Sequence, residues 1–287
     1  MGRVAYVNGR FVPHGEASVH IEDRGYQFAD AVYEVWAVFV GKLADAEGHF
    51  ARLERSLSEL AIDMPMSRRA LTVVLKEAVR RNRAREGLVY LQVSRGVAPR
   101  DHAFPKTPVA PAMVITVSMT DRAATEARAA KGVGVVTTPE NRWGRCDIKT
   151  VGLLPNALAK QKAREAGAME AWFVDELGFV TEGASSNAWI VDGEGRLRTR
   201  DTNANILRGI TRNTLLDVIA TEGLQVDERP FTPDDAHKAR EAFITGAGAL
   251  VLPVVSLDGK PIGEGKPGPV ATKLRRLYIE RAKTSAI

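Results

Sequence analysis

Cysteine occurs once in this chain, at Cys146, so no intrachain disulfide can form and a reducing compartment is the natural expectation. No apolar run approaches the length of a membrane span. The start, Met1-Gly2-Arg3-Val4-Ala5-Tyr6, has no apolar signal-peptide core, and Tyr6 stands where a myristoylation site needs Ser or Thr. These absences make the cytoplasm the expected location, with no membrane partner. His14, His20, His49, His102 and His237 show no zinc-binding spacing, so no metal is expected. No Gly-x-Gly-x-x-Gly follows a strand, Lys266 is followed by Pro267 rather than Ser or Thr, and no Gly-x-Ser-x-Gly elbow is present. Dinucleotide binding, a nucleotide phosphate loop and α/β-hydrolase chemistry are thereby set aside.

Blocks of one charge sign are missing too. The net charge of +5 comes from 40 basic and 35 acidic residues interspersed along the chain, without a basic tail. A mixed solvated surface accounts for it, and no nucleic-acid partner is expected. With 45% hydrophobic and 26% charged residues, the composition is that of an ordinary globular protein. A length of 287 residues is comfortable for two modest domains.

Hydrophobic spacing gives the organisation. Val4 and Tyr6 alternate into an Asn8-Gly9 turn and Phe11, which reads as a hairpin. Val32 to Val40 is strand-like, ended by Gly41-Lys42. Glu47 to Ala61 takes helical spacing with Phe50, Leu53, Leu57 and Leu60 on one face. A second helix is expected from Ser67 to about Arg85, with Leu71, Val74, Leu75, Ala78 and Val79 inward. Strands at 89–94 and 113–118 complete a small N-terminal α/β domain over residues 1–118. Residues 119–131 are polar, Ala-rich and poorly patterned, which suits a connector. A second domain, 132–287, is expected to hold a strand at 133–137 and helices at 156–166, 212–222 and 270–283. Asp175–Gly178 and Asp192–Gly195 read as hairpin turns, and 258–269 as a Gly/Pro-rich loop. The class is α+β, because short strands and scattered helices do not alternate as βαβ units.

Two segments carry chemistry. Arg145-Cys146-Asp147-Ile148-Lys149-Thr150 places a lysine at the end of an apolar strand, where burial and nearby cations depress an amine toward its neutral, nucleophilic form. Thr181-Glu182-Gly183-Ala184-Ser185-Ser186-Asn187 places a carboxylate beside small, hydroxyl-bearing residues that let a flat ligand approach. Together they suggest an imine-forming lysine and an acidic partner for a heterocyclic nitrogen. Gly209-Ile210-Thr211 precedes a helix whose free N–H groups and dipole suit a phosphate, with Thr211 as N-cap.

These segments resemble the fold-type IV pyridoxal phosphate enzymes, and within them the D-amino acid aminotransferases. The resemblance extends to Glu22–Glu34, Pro99-Arg100-Asp101-His102 and Ile206–Arg212, in consistent order along nearly the whole chain. It implies pyridoxal 5'-phosphate as cofactor and a two-domain fold whose larger C-terminal domain has a β-barrel-like core. It further implies a homodimer with its active site at the interface, and amino acids and 2-oxo acids as substrates. Lys149 becomes the catalytic base and cofactor anchor, and Glu182 the partner of the ring nitrogen. Arg52, Ile210 and Thr211 are implied to hold the phosphate, Leu207 to pack under the ring, and Ser185 and Ser186 to line it. Tyr33, Arg100 and His102 match the residues that grip the substrate carboxylate, the last two from the neighbouring subunit; an arginine fork suits a carboxylate well.

Four positions depart from the family pattern. Ala247 and Gly248 stand where relatives carry hydroxyls near the phosphate, so Ala247 can offer only its backbone N–H, which also weakens a role for Thr245. Ala29 and Ala31 replace glycines around Asp30, so the backbone there must tolerate a Cβ. The resemblance leaves branched-chain L-amino acid aminotransferase, aminodeoxychorismate lyase and (R)-amine transaminase as alternatives on the same fold. The reaction it favours is transamination of D-amino acids such as D-alanine with 2-oxoglutarate or a similar acceptor.

Overall fold

The computed structural model describes residues 2–202 and 206–287. The chain forms two compact units: one of residues 1–121 with Ile148–Gly152 and Ser285–Ile287, the other of Arg122–Asp147 with Leu153–Thr284. The first unit is thus not one continuous stretch, because the segment carrying Lys149 belongs to it.

The first unit holds β1 (Val4–Val7), β2 (Arg10–Pro13), α1 (Arg24–Phe28), β3 (Ala31–Phe39), β4 (Lys42–Leu43), α2 (Ala46–Glu59), α3 (Arg68–Arg81), β5 (Glu86–Ser94) and β6 (Ala112–Met119). Its strands make an antiparallel sheet of order β2-β1-β6-β5-β3-β4. The Asn8-Gly9 turn has positive φ at both residues, as a tight two-residue hairpin requires. On α2, Phe50, Leu53 and Leu57 form one buried face, and on α3 Leu71, Leu75, Ala78 and Val79 do the same. These faces close a core with Trp36, Val38, Val89, Leu91, Ile115 and Val117 from the sheet. Each such side chain contributes about 1.5–3 kcal/mol on burial. Helix α3 is capped by Ser67 and stops at Arg81, four residues short of the expected end. The Asn82 side chain leaves the helix pattern to bond both N–H and C=O of Val4 on β1, a tertiary contact invisible to local spacing.

The second unit comprises α4 (Arg122–Lys131), β7 (Val133–Pro139), α5 (Leu154–Glu165), β8 (Glu170–Val174), β9 (Val180–Gly183), β10 (Asn187–Val191), β11 (Leu197–Thr199), α6 (Ile210–Thr221), β12 (Val226–Asp227), α7 (Pro233–Lys238), β13 (Glu241–Gly246), β14 (Leu250–Leu257), β15 (Lys260–Pro261) and α8 (Pro269–Ser285). The expected connector over 119–131 is largely helix α4, which belongs to this unit. Its alanines supply helix propensity without an apolar stripe, and Ala129 alone is buried. The sheet runs β12-β11-β10-β13-β14-β7-β8-β9, with β15 on β14. Strand β9 is an edge in that order, yet only Ala184, Ser185 and Ser186 separate it from β10. So short a link forces the sheet to curl toward a barrel, and Gly183 N–H reaches the Ser186 carbonyl at 2.6 Å. Trp172, Ile190, Ile244, Leu252 and Phe231 fill the interior.

Among the described residues, no helix is long and apolar enough to cross a membrane, and no group of three His, Cys, Asp or Glu side chains is placed to hold a metal.

Candidate active site

In the first unit the site begins on β3, whose alternation sends Val32, Glu34, Trp36 and Val38 to one face and Tyr33 to the other. Lys149 does not end a regular strand; it lies in an irregular segment that borrows the start of β3. Lys149 C=O accepts from Tyr33 N–H at 2.9 Å, Thr150 bridges Val32, and Val151 N–H reaches Ala31 C=O at 3.1 Å. The Lys149 amine sits 4.1 Å from the Tyr33 ring centroid. Tyr33 stacks in turn on Tyr90, with centroids 5.6 Å apart. Burial, with Tyr33 adding to it, pushes the Tyr90 phenol up to about 12. Tyr90 therefore stays neutral and donates to Gln92 Oε1 at 2.8 Å.

Glu34, wholly buried, projects toward α2. Its carboxylate accepts from Arg52 Nε and Nη2 and faces His49 Nδ1 at 2.7 Å. Burial opposes the charge, but the Arg52 guanidinium and the His49 hydrogen bond overcome it and hold the Glu34 carboxyl at about 2. Burial pushes His49 below its ordinary value, so a neutral ring donating from Nδ1 fits the geometry. Arg52, the expected phosphate ligand, thus has its orientation set by an anion beneath it. Arg100 and His102 lie on an exposed loop and meet at the Phe28 ring, Arg100 at 5.0 Å and His102 at 5.4 Å.

The second unit centres on Glu182, which is 4% exposed. It accepts from Arg142 Nη1 at 2.5 Å, Asn187 Nδ2 at 3.1 Å and Leu207 N–H at 3.1 Å. Asn187 also donates to the Leu207 carbonyl, so Leu207 is tied to Glu182 on both sides of its peptide. Arg142 is fixed by Glu140 and lies over Phe173 at 4.4 Å; burial disfavours its charge, but Glu140 and Glu182 keep it fully protonated. The serine turn is held from below by buried Glu170. Its Oε2 accepts from Ser185 N–H and Oγ at 3.2 and 2.7 Å and from Ser186 Oγ at 3.0 Å.

Helix α6 begins at Ile210 with Gly209 as N-cap, so Thr211 is inside the helix and caps nothing with its side chain. The backbone N–H groups of Ile210, Thr211 and Arg212 have no acceptor within the helix. Ala247 sits in the short turn between β13 and β14, where Gly246 pairs with Leu250. Cys146 is buried, its thiol donating to Trp143 C=O at 3.1 Å, and burial pushes it up to about 11. That leaves it a poor nucleophile.

Sequence reading missed Glu34, His49, Glu170, Arg142 and Asn187 as supports of the expected ligands. A charge inside an apolar strand marks both Glu34 and Glu170; nothing in the loop around Arg142 marks that residue.

The amino-transferase class IV family model matches residues 31–257. The chain belongs to the class IV aminotransferases. D-alanine aminotransferase of Bacillus licheniformis is 42% identical over 284 residues, covering 96% of this chain and 98% of the relative. That of Staphylococcus haemolyticus is 38% identical over 279 residues, covering 96% and 97%. Among solved structures, a branched-chain amino acid aminotransferase from Thermoproteus uzoniensis with norvaline shares the fold at a TM-score of 0.84 and 24% identity, over 98% of this chain and 94% of that one. The Escherichia coli branched-chain enzyme does so at a TM-score of 0.90 and 22% identity, over 98% and 95%. A further branched-chain amino acid aminotransferase, solved with pyridoxamine 5'-phosphate, aligns at a TM-score of 0.88, with 28% identity over 98% and 94%.

Class IV aminotransferases use pyridoxal 5'-phosphate, and the donors present suit it. A buried carboxylate already braced by an arginine matches a ring nitrogen, and a helix start whose first N–H groups have no acceptor within the helix matches a phosphate dianion.

Proposed function

We propose that this class IV aminotransferase moves the amino group of D-amino acids such as D-alanine to 2-oxoglutarate or a similar 2-oxo acid, as a cytoplasmic homodimer. The observation that carries the substrate reading is the pairing of Arg100 and His102 on one aromatic ring, a donor pair suited to a carboxylate. The likeness to D-alanine aminotransferases over nearly the whole chain supports it.

Bound pyridoxal phosphate supplies an electron-poor ring that stabilises negative charge at the substrate Cα. Lys149 holds the cofactor through its amine and, once released, moves the Cα proton as base and then acid. Glu182 keeps a proton on the ring nitrogen, its own charge secured by Arg142 and Asn187. Arg52 and the N–H groups of Ile210, Thr211 and Ala247 hold the phosphate. Leu207 packs on the ring, and Ser185 and Ser186 line it. Tyr33, Arg100 and His102 fix the substrate carboxylate and so decide which enantiomer offers its Cα–H to Lys149.

The likeness to branched-chain enzymes favours a second reading, L-amino acid transamination. Absorbance of the purified holoenzyme, with D-alanine and L-leucine in separate cuvettes, separates the two. A shift to the pyridoxamine band with D-alanine alone is the expected result. A shift with L-leucine alone would establish the branched-chain reading. A response to neither would favour the lyase or amine transaminase alternatives.

A further inference from the structure

We propose that Arg24 and Phe28, the first and last residues of α1, are positioning residues for the loop that carries Arg100 and His102, and that they set how strongly a substrate carboxylate is favoured. The inference rests on the reading of Arg100 and His102 as the carboxylate-binding pair.

Arg24 is 2% exposed, an unusual burial for an arginine. Its Nη1 donates to the Asp101 carbonyl at 2.6 Å and its Nη2 to the His102 carbonyl at 3.4 Å. The guanidinium is anchored behind by Asp30, which accepts from Arg24 Nε at 2.8 Å. Asp30 is itself gripped by Arg95 Nε and Nη2, at 2.7 and 3.0 Å. Arg95 then lies 3.6 Å from the Phe104 ring centroid at the far side of the loop. The exposed loop is thus fastened from within by two arginines sharing one carboxylate.

Phe28 completes the platform. It lies four residues after Arg24, hence on the same helix face, and the Arg24 guanidinium sits 4.7 Å from its ring. The same ring meets both Arg100 and His102. The helix is pinned at its start, where Asp23 accepts from Gly25 N–H at 2.8 Å and from Ser94 Oγ at 2.9 Å. An unsupported loop would lose backbone freedom, and its arginine roughly 2 kcal/mol of rotamer freedom, on closing around a carboxylate. Here the backbone at residues 101 and 102 is fixed beforehand, and the two side chains rest on a shared ring.

The test uses the holoenzyme and the variants Phe28→Leu, Arg24→Lys and, as reference, Arg100→Ala. The readouts are kcat and KM for D-alanine, the rate at which hydroxylamine, an amine without a carboxylate, alters the cofactor absorbance, and hydrogen exchange over residues 99–104. Phe28→Leu should raise the D-alanine KM about threefold, in line with loss of a cation–π contact. Arg24→Lys should raise it about tenfold, in line with loss of charged hydrogen bonds. In both, kcat and the hydroxylamine rate should stay within about twofold of the parent, and exchange over 99–104 should quicken. If Arg100→Ala raises the D-alanine KM while both platform variants leave it unchanged, the positioning role is wrong and the carboxylate pair stands. If Arg100→Ala itself leaves that KM unchanged, the carboxylate reading falls and this inference with it. Equal losses toward D-alanine and hydroxylamine would make α1 merely structural. Phe28→Leu leaves every hydrogen bond of the buried Arg24 side chain its partner, so a misfolded Arg24→Lys still leaves the question answered.

Discussion

Glu34 offers both carboxylate oxygens to Arg52, at 2.7 and 2.8 Å, with a histidine closing the third side. The pair crosses from β3 to α2, so the sheet dictates where the guanidinium points. Glu34→Gln removes the charge but keeps the shape. It should weaken pyridoxal phosphate binding about tenfold and lower stability by about 3 kcal/mol, as expected when one partner of a buried ion pair is lost. Titration of the apoprotein with cofactor and thermal melts would check both; an unchanged cofactor Kd would show that Arg52 needs no such support.

The same carboxylate makes the first unit sensitive to acid. Its folded pKa, about 2, lies below the ordinary value of 4.5, so its stabilising contribution is complete above 4.5 and is lost as pH falls toward 2. The depressed His49 acts in the same direction from its ordinary value of 6.5 downward, because its neutral form is the folded one. Urea midpoints measured from pH 7 to 2 should fall through this range, and the Glu34→Gln variant should show a shallower fall below pH 4.5.

Lys149→Ala should abolish the borohydride-stable cofactor adduct, read as intact mass after reduction. An adduct of unchanged yield would move the reactive amine to another lysine. The variant should retain its fold, since Lys149 meets β3 through its backbone carbonyl.

Both Glu170 oxygens accept, Oε2 from the serine turn and Oε1 from Ala171 N–H, so Glu170→Gln would set an amide donor against a donor whichever way it turned. The expected result is a cofactor Kd raised about tenfold, roughly the cost of one unsatisfied buried contact. A Kd equal to the parent's would mean that the turn holds its shape through its backbone alone.

Ala29 has φ of 56°, in the left-handed region that a Cβ disfavours. Ala29→Gly should stabilise the protein by about 0.5–1 kcal/mol, the relief of strain exceeding the added freedom of the unfolded chain. Differential scanning calorimetry should show a rise of about 1–3 °C in Tm.

Much of this organisation is legible in the sequence because it is written in local periods. The Asn8-Gly9 hairpin and the α2 and α3 core faces follow from alternation and helical spacing alone. The end of α3 is not legible, because Asn82 leaves the helix for a strand remote in sequence. Helix α4 escapes for the opposite reason: its alanines give propensity but no stripe. At the site, the residues expected to touch ligand come from ordered motifs. Their supports do not, since Glu34 and Arg52, or Glu170 and Ser185, are joined only by the folded sheet. Arg142 meets Glu182 across 40 residues from an irregular loop, where no period exists to be read.

The excursion of Ile148–Gly152 into the first unit has a consequence for synthesis. A ribosome that has released residue 121 has delivered the whole first sheet, yet not the strip that lies against β3 or the Ile148 side chain that enters its core. The nascent unit must therefore wait, with that side of β3 unpaired, while the opening helix and strand of the second unit emerge. Lys149 is thus fitted late, against a strand that has already emerged.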